Sequence, residues 1–586
     1  MVANARSCQQ ALADLRRARR RRRVADFDFM EALYRAYVAA LFGGAALWWL
    51  ALRVGGKEVG AATVGRVAVD GPQIAGAVVA VALAIGLRSG GRGGPLALEA
   101  ADVRHVLLAP VGRRAALRGP AWRQLRFGAA WGAGLGAVVG VLASRRLGGQ
   151  WPAWAASGAL AGASCVDAAL GAAMAVSGWR LGRRVAGVLA LGVLGWSAAD
   201  VLVARSTSPM SWLGQVLLWP LRWRPGAFGG VAFAALLVVV GLVALGGTSV
   251  EASERRASLV GQLRFAVTMR DLRTVILLRR QLAQEGARRR PWARIGAGTG
   301  SLSGRSRTPV VGTSRATRTG ARRAGRGGEH PAGPTYPGSR RGIALSALWH
   351  RGSQGLLRFP AARLARLALL GAAAGAAAEG AWQGTTPLVA AAGLALYVAG
   401  LDVAEPLAQS VDHAALLDGY PLARGAVLAG LFPASAVAML VVGAAGVATA
   451  VGMAGGGTQA LAVAAVIWVA ASLCGLAGAI ISTVQGPPPL FSDSDLMLPP
   501  EAIGAKVVLR TLWPPLVSTV GVLPVLAVRA SSTDPVAAAV ANAVPVLVLV
   551  VIVLVWVRNR ERLHAAFDLA LGRTAAGGRV PDGRGA

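Results

Sequence analysis

The chain has 586 residues, 54% of them hydrophobic and 15% charged, with a mean hydropathy of +0.52. Soluble domains carry about 25% charged residues, so this composition excludes a soluble enzyme, a disordered chain and a secreted disulfide scaffold. Lys and Arg nevertheless number 62 against 27 Asp and Glu, a net charge of +35, so apolar and basic stretches must separate along a polytopic membrane protein.

The expected fold is all-α, with about twelve transmembrane helices in two six-helix repeats and both termini cytoplasmic. A spanning helix needs about 20 mostly apolar residues, because lipid offers its backbone no hydrogen-bond partners. Residues 1–33 form a basic lead-in, with Arg16, Arg17 and the run Arg19 to Arg23. The positive-inside rule holds this end in the cytoplasm. It is not a cleavable signal, since its charged region is too long and the apolar stretch begins too late. The first half, 34–247, offers spans near 34–54, 72–88, 121–143, 152–178, 185–204 and 228–247. In the third, Gly128, Gly132, Gly136 and Gly140 recur every fourth residue, a smooth stripe for a neighbouring helix. Asp167 lies in the middle of the fourth span, where a carboxylate costs about 2.5–3.5 kcal/mol on insertion scales. It reads either as an intramembrane polar site for a proton or cation, or as a protonated or hydrogen-bonded residue facing the bundle. Asp200, and Glu379 in the second half, lie near span ends and are expected to reach the interface.

Residues 248–363 form the largest loop, on the cytoplasmic side. Its start, Glu251 to Glu285, is patterned as an amphipathic helix. From Arg288 to Arg341, thirteen arginines stand against one acid, Glu329, among Gly, Ser, Thr and Pro, which reads as a disordered linker. Stacking aromatics are nearly absent there and anionic lipid is adjacent, so lipid or solvent rather than nucleic acid is the expected surrounding. The second half, 364–557, offers spans near 364–382, 386–402, 426–452, 459–484, 506–528 and 536–557. Pro514, Pro515 and Pro524 should break the eleventh. The turn Gly486–Pro500, with Asp493 and Asp495, reads as a rigid acidic loop, and 558–586 as a basic cytoplasmic tail. With this topology about nine basic residues face outward: Arg53, Lys57, Arg66, Arg145, Arg146, Arg205, Arg222, Arg224 and Arg529.

Two features temper the basic balance. Lys57 and Lys506 are the only lysines, so the arginine excess, with abundant Ala and Gly, looks like a coding bias as much as selection. Cys8, Cys165 and Cys474 have no pair spacing and the five histidines are scattered, so no disulfide framework, metal site or cofactor is expected.

The two halves also match each other. A shift of 311 residues aligns Pro95–Gly119 with Pro406–Gly430 without a gap. Pro95, Leu96, Ala97, Pro110, Arg113, Ala115, Leu117 and Gly119 fall on Pro406, Leu407, Ala408, Pro421, Arg424, Ala426, Leu428 and Gly430. Glu99–Leu108 (EAADVRHVLL, with Asp102 and Arg104) and Ser410–Leu417 (SVDHAALL, with Asp412) mix charged and apolar residues as short surface helices do. Pro110 and Pro421 stop them, and turns containing Arg113, Arg114 and Arg424 lead into the next span. Such elements could offer side chains to a soluble partner, or serve only as re-entry loops with ordinary positive-inside arginines. The arrangement is that of two halves in parallel orientation, related by an axis along the membrane normal.

This layout resembles the permease subunit of ABC-2-type exporters. In that family a cytoplasmic amphipathic helix precedes the first span, a coupling helix between the second and third spans docks on the ATPase, and re-entrant structure lies outside between the fifth and sixth. The corresponding stretches here are Gln9–Phe29, the coupling segment LLAPVGRRAALRG at Leu107–Gly119, and SWLGQVLLWPLRW at Ser211–Trp223. The second half repeats the coupling region as LLDGYPLARGAVLAG at Leu416–Gly430, but Arg529–Pro535 is too short for re-entrant helices. The resemblance implies that Asp102, Arg104, Pro110, Arg113, Arg114, Asp412, Pro421 and Arg424 couple the chain to a separate ABC ATPase in two copies. It also implies a place in the plasma membrane and an unidentified exported substrate. The chain itself should be no enzyme: it has no G-x-x-x-x-G-K-S/T phosphate loop, and GGKEVG at Gly55–Gly60 lacks the spacing. Two other classes stay open. One is a major-facilitator-like secondary transporter, although the second-to-third loop here is long and lacks that family's G-x-x-x-D-x-x-G-R motif. The other is a membrane scaffold without transport.

Overall fold

The computed structural model describes residues 59–250, 337–485 and 500–570, with short gaps within 92–111, within 413–421 and at 533, and isolated positions elsewhere. Spans expected at 34–54, the lead-in Gln9–Phe29, the amphipathic stretch at 251–285, most of the Arg-rich linker, the acidic turn 486–499 and the tail beyond 570 lie outside the described residues, apart from isolated positions. Side chains are not described throughout the ends of α7, α13 and α15.

Two compact units divide the chain, Met1–Arg280 and Gln281–Ala586. Among the described residues the regular structure is entirely helical. The first unit contains α1 (Ala61–Gly90), a π-helical turn (Val103–Leu107), α2 (Arg113–Leu147), α3 (Trp151–Gly178), α4 (Arg183–Val203), α5 (Pro209–Leu217) and α6 (Gly226–Ala244), which ends in a 3-10 turn at Leu245–Gly247. The second contains α7 (Pro337–Leu357), α8 (Ala361–Trp382), α9 (Leu388–Val403), α10 (Glu405–Asp412), α11 (Arg424–Met453), α12 (Thr458–Gln485), α13 (Pro500–Val520), α14 (Pro524–Ala530) and α15 (Pro535–Ala570). Nine helices are long and apolar enough to cross a membrane among the described residues, and up to eleven if each bent pair counts as one span. The bent pairs are α9 with α10, at 58°, and α13 with α14, at 42°. The chain is an all-α, multi-pass membrane protein.

Each unit is organised around one central helix, α3 or α12. In the first, α3 packs against α1, α2 and α6, while α1 also lies against α4; in the second, α12 packs against α9, α11 and α15, while α9 also lies against α13. These neighbours correspond between the units, except that α12 also packs against α13 whereas α3 makes no comparable contact with α4. Helices in lipid gain no hydrophobic drive from touching one another, so their contacts depend on close van der Waals packing of small residues. The glycine stripe of α2 does this against α3. A methyl group built on Gly132, Gly136 or Gly140 would lie 2.4, 2.0 and 2.0 Å from the carbonyl oxygens of Gly162, Gly158 and Trp154. From the other side, Gly158 and Gly162 meet the Gly136 and Gly132 carbonyls at 2.1 Å in the same sense.

Four expectations need correction. The eleventh span does not break at Pro514–Pro515: α13 runs through both, and Ser518 and Thr519 turn their hydroxyls back to the Pro514 and Pro515 carbonyls at 3.4 and 3.0 Å. The break comes at Gly521–Leu523, and Pro524 opens α14, where its missing N–H costs nothing. The second unit thus has, in α14, a short helix at the same place in its order as α5, although Arg529–Pro535 was too short to supply one. The linker expected over Arg288–Arg341 stops short of its predicted end, since α7 begins at Pro337. Finally, Asp200 and Glu379 do not reach an interface; both are buried, at 2% and 9% exposure.

Asp200 is buried because it closes the turn from α4 into α5. Its carboxylate accepts from the Thr207 hydroxyl at 2.5 Å, the Thr207 N–H at 3.1 Å, the Ser208 N–H at 2.9 Å and the Ser211 hydroxyl at 2.6 Å. Ser208 in turn caps α5, accepting from the Ser211 N–H at 3.2 Å. The short helix so anchored lies on α1, where a methyl group on Gly214 would come 2.1 Å from the Pro72 carbonyl oxygen.

Gly136→Val should prevent the α2–α3 crossing and abolish the monodisperse peak in detergent gel filtration. Gly134→Val, on the same helix with nothing within 4 Å of its Cβ position, should leave that peak unchanged. Asp200→Ala should lower the apparent Tm, because about four hydrogen bonds lose their acceptor, each worth about 1 kcal/mol.

Candidate functional site

Within each unit the repeated segment meets the membrane helices at one end, which we term that unit's linker end: where α6 stops in the first unit and where α8 begins in the second. In the first unit the Val103–Leu107 turn follows Gly94, whose φ of +88° and lack of a side chain let it pass Ser177 of α3. Pro95 then gives its carbonyl to Gln124 Nε2 of α2 at 2.8 Å. Leu96, Leu98, Val103 and Leu107 bury themselves against Leu117 and Leu125 of α2, Met174 of α3 and Leu245. This segment is fastened by apolar contact.

In the second unit the fastening is electrostatic. Arg363, in the first turn of α8, donates to the Asp402 carbonyl at 2.7 Å, lies 3.5 Å from the Asp402 carboxylate and forms an ion pair with Glu405. Asp402 is in the last turn of α9 and Glu405 opens α10, so one guanidinium ties both arms of the 58° corner. Arg366 pairs with Asp402 as well, and Phe359 lies flat beneath Arg363, 3.9 Å from ring centroid to guanidinium carbon. A rigid, always-charged fork suits a joint of this kind better than lysine would. Around the corner, Pro406 touches α7 at Gly355, and Ser435 of α11 donates to the Val403 carbonyl at 3.3 Å. Helix α10 is thereby connected to α7, α8, α9 and α11.

The matched positions separate into two kinds. Leu96 with Leu407, and Leu117 with Leu428, are buried in both units and serve the core. Arg113 and Arg424 are the first residues of α2 and α11, and both are exposed, as is Arg114. Asp412 is half-buried at the end of α10. The backbone of Arg104 belongs to the π-helical turn, while Asp102, Pro110 and Pro421 lie outside the described residues. Arg104's side chain is likewise not described. The structure brings Arg114 beside Gly246 at the end of the first unit's last helix, and it does not gather the described site residues into a catalytic cluster. Among the described residues no group of His, Cys, Asp and Glu could hold a metal ion. Asp167 sits half-buried on α3, and its enclosed Oδ1 accepts no hydrogen bond.

Other arginines at these ends serve the helices themselves. The last carbonyls of a helix lack partners and carry its negative dipole end. Arg510 donates to the Gln485 carbonyl at 2.8 Å and Arg560 to that of Val484, so two guanidinium groups close α12. Arg180 closes the end of α6 through the Gly247 carbonyl, at 2.7 Å. Away from these ends, outside the spans, Arg224 donates to the Ala68 carbonyl at 3.1 Å, and burial together with the charge of Arg222 lowers its pKa.

Sequence reasoning missed Arg363, Arg366, Asp402 and Glu405. The acids are three residues apart across a helix break, a signal visible only once the corner is known. The repeat gave no help, because the 311-residue shift places Gly91 and Gly94 at the Asp402 and Glu405 positions. No family model, no curated protein and no solved structure matches the chain.

Asp402→Ala should lower the apparent Tm more than Arg366→Ala, since Arg366 is half-exposed and can turn to water while Arg363 would be left facing Glu405 alone. A double-mutant cycle of Asp402→Ala with Arg363→Ala, read as Tm in one detergent, should show a coupling of about 1–3 kcal/mol.

Proposed function

We propose that the chain is the permease of an ABC-2-type exporter, with both six-helix halves fused and the energy supplied by two copies of a separate ATPase. The observation that carries this reading is the shared construction of the linker ends. In both units a short element with a buried leucine precedes a long helix that begins on an exposed arginine, Arg113 or Arg424. Buried leucines would transmit a push on the element to the core, and the arginines would meet an acidic surface of the partner.

In this reading the chain crosses the plasma membrane twelve times, with both linker ends and both termini in the cytoplasm. The short helices α5 and α14 are then external, in the position the exporter layout reserves for re-entrant structure. Helix α7 stands before α8 as the basic amphipathic helix does before the first span, with Leu348 buried against α11 at Gly430. Hydrolysis in the ATPase would displace the coupling elements and rock the spans attached to them. The corner of α9 and α10 is suited to this because Arg363 makes its two arms respond together. The transported substrate is left unassigned.

Tagged chain purified from its own cells should carry an ATPase with Walker motifs. Arg113→Glu, Arg114→Glu and Arg424→Glu combined should remove that ATPase, whereas Arg145→Glu with Arg146→Glu at the opposite end should retain it. Absence of any ATPase from the purified wild-type chain, or substrate movement by the chain alone along a proton gradient, would favour a secondary transporter instead.

A further inference from the structure

At the end of the second unit away from the linker, α8, α11 and α12 with the starts of α14 and α15 line a half-open cavity of about 230 Å³. Its walls are apolar, Val463 and Ile467 among them, with two indoles, Trp382 and Trp468. Trp468 is 4% exposed and fits because Gly446 leaves room, its Cβ position lying 3.2 Å from the indole. One carboxylate, Glu379, faces this space. Gln383 Nε2 donates to its Oε1 at 3.0 Å. No arginine or lysine lines the cavity. Arg529, at the same end, donates to the Ala381 carbonyl at 2.6 Å.

A buried carboxylate in an apolar chamber is costly unless a positive charge accompanies it. Indole faces attract cations, and weakly hydrated ones most readily. A metal ion needs several oxygen or nitrogen ligands, whereas the lining supplies one carboxylate and the amide of Gln459. We infer that this cavity binds a small organic monocation with apolar substituents, a substituted ammonium held by Glu379 and the two indoles. Glu379 supplies the charge, Trp382 at the mouth and Trp468 in the wall supply the aromatic faces, and the alanines of α8, α11 and α12 set the size limit.

The site stands apart from the exporter reading. A chain that binds the cation but captures no ATPase would defeat that reading and leave this one intact, and the reverse result would do the opposite.

The probe is tritiated benzyltrimethylammonium, added to the purified full chain in detergent. Saturable binding is expected, with no competition from neopentylbenzene, its neutral carbon analogue. Glu379→Gln should weaken binding at least tenfold and Glu379→Asp less. Ala464→Leu, which fills the cavity and leaves the carboxylate in place, should abolish binding while gel filtration and Tm stay near wild type; this variant decides the matter if Glu379→Gln does not fold. Absence of saturable binding to the wild type, or unchanged binding in a folded Glu379→Gln or Ala464→Leu chain, would overturn the inference.

Discussion

Backbone-to-backbone approach at the central helix of each unit is the constraint from which the rest of the architecture follows. Lipid competes for no hydrogen bond and rewards no apolar burial between helices, so contact must come from surfaces that fit at short range. Helix α3 meets its neighbours where Ala169, Gly158, Gly162 and Gly171 place carbonyls or bare Cα atoms against glycines of α1, α2 and α6. Helix α12 uses Gly475 against α9 and Gly478 against α13 in the same manner. With these crossings fixed, large apolar side chains such as Phe127, Leu135 and Val139 of α2 are left outside the bundle, as expected of helices in lipid. The abundance of Ala and Gly, which composition alone suggests is a coding habit, is at these positions what permits the fold.

The basic balance divides in a similar way. Positive-inside topology is one use of arginine, and termination of helices is another: Arg180, Arg510 and Arg560 occupy carbonyls that a helix end would otherwise leave bare. Arg363 combines the second use with a further one: it takes the Asp402 carbonyl at the end of α9 and also joins two helices through acids on both arms. Exposed arginines also stand at helix starts, Arg113, Arg114, Arg183, Arg184 and Arg424 among the described residues.

Among the described residues the long apolar helices were legible in the sequence because a long apolar run has few alternatives, and the glycine stripe was legible because its period is that of a helix face. What escaped were features set by three-dimensional proximity. Asp200 near a span end looks ready to reach water, and only the hairpin into α5 shows that Thr207, Ser208 and Ser211 surround it. Pro514 and Pro515 look like the breaking point of α13, yet the helix runs through both to Val520 and the bend comes only at Gly521–Leu523. Helix α7 was hidden by its arginines, which made its start look like linker. In the candidate coupling region the matched leucines and arginines were readable as a repeat, but the charged corner of the second unit was not, because the first unit has glycines in its place.

The interlock of α2 with α3 has a mechanical consequence. Carbonyls of each helix sit in the glycine notches of the other at successive turns, from Gly132 with Gly162 to Gly140 with Trp154. Such a seam resists sliding, since displacement along the axis drives oxygen atoms onto Cα atoms, and it resists rolling, since the notches lie on one face only. The two helices therefore behave as a single beam, so bending within the first unit must be taken up at the loops around that beam rather than along the seam.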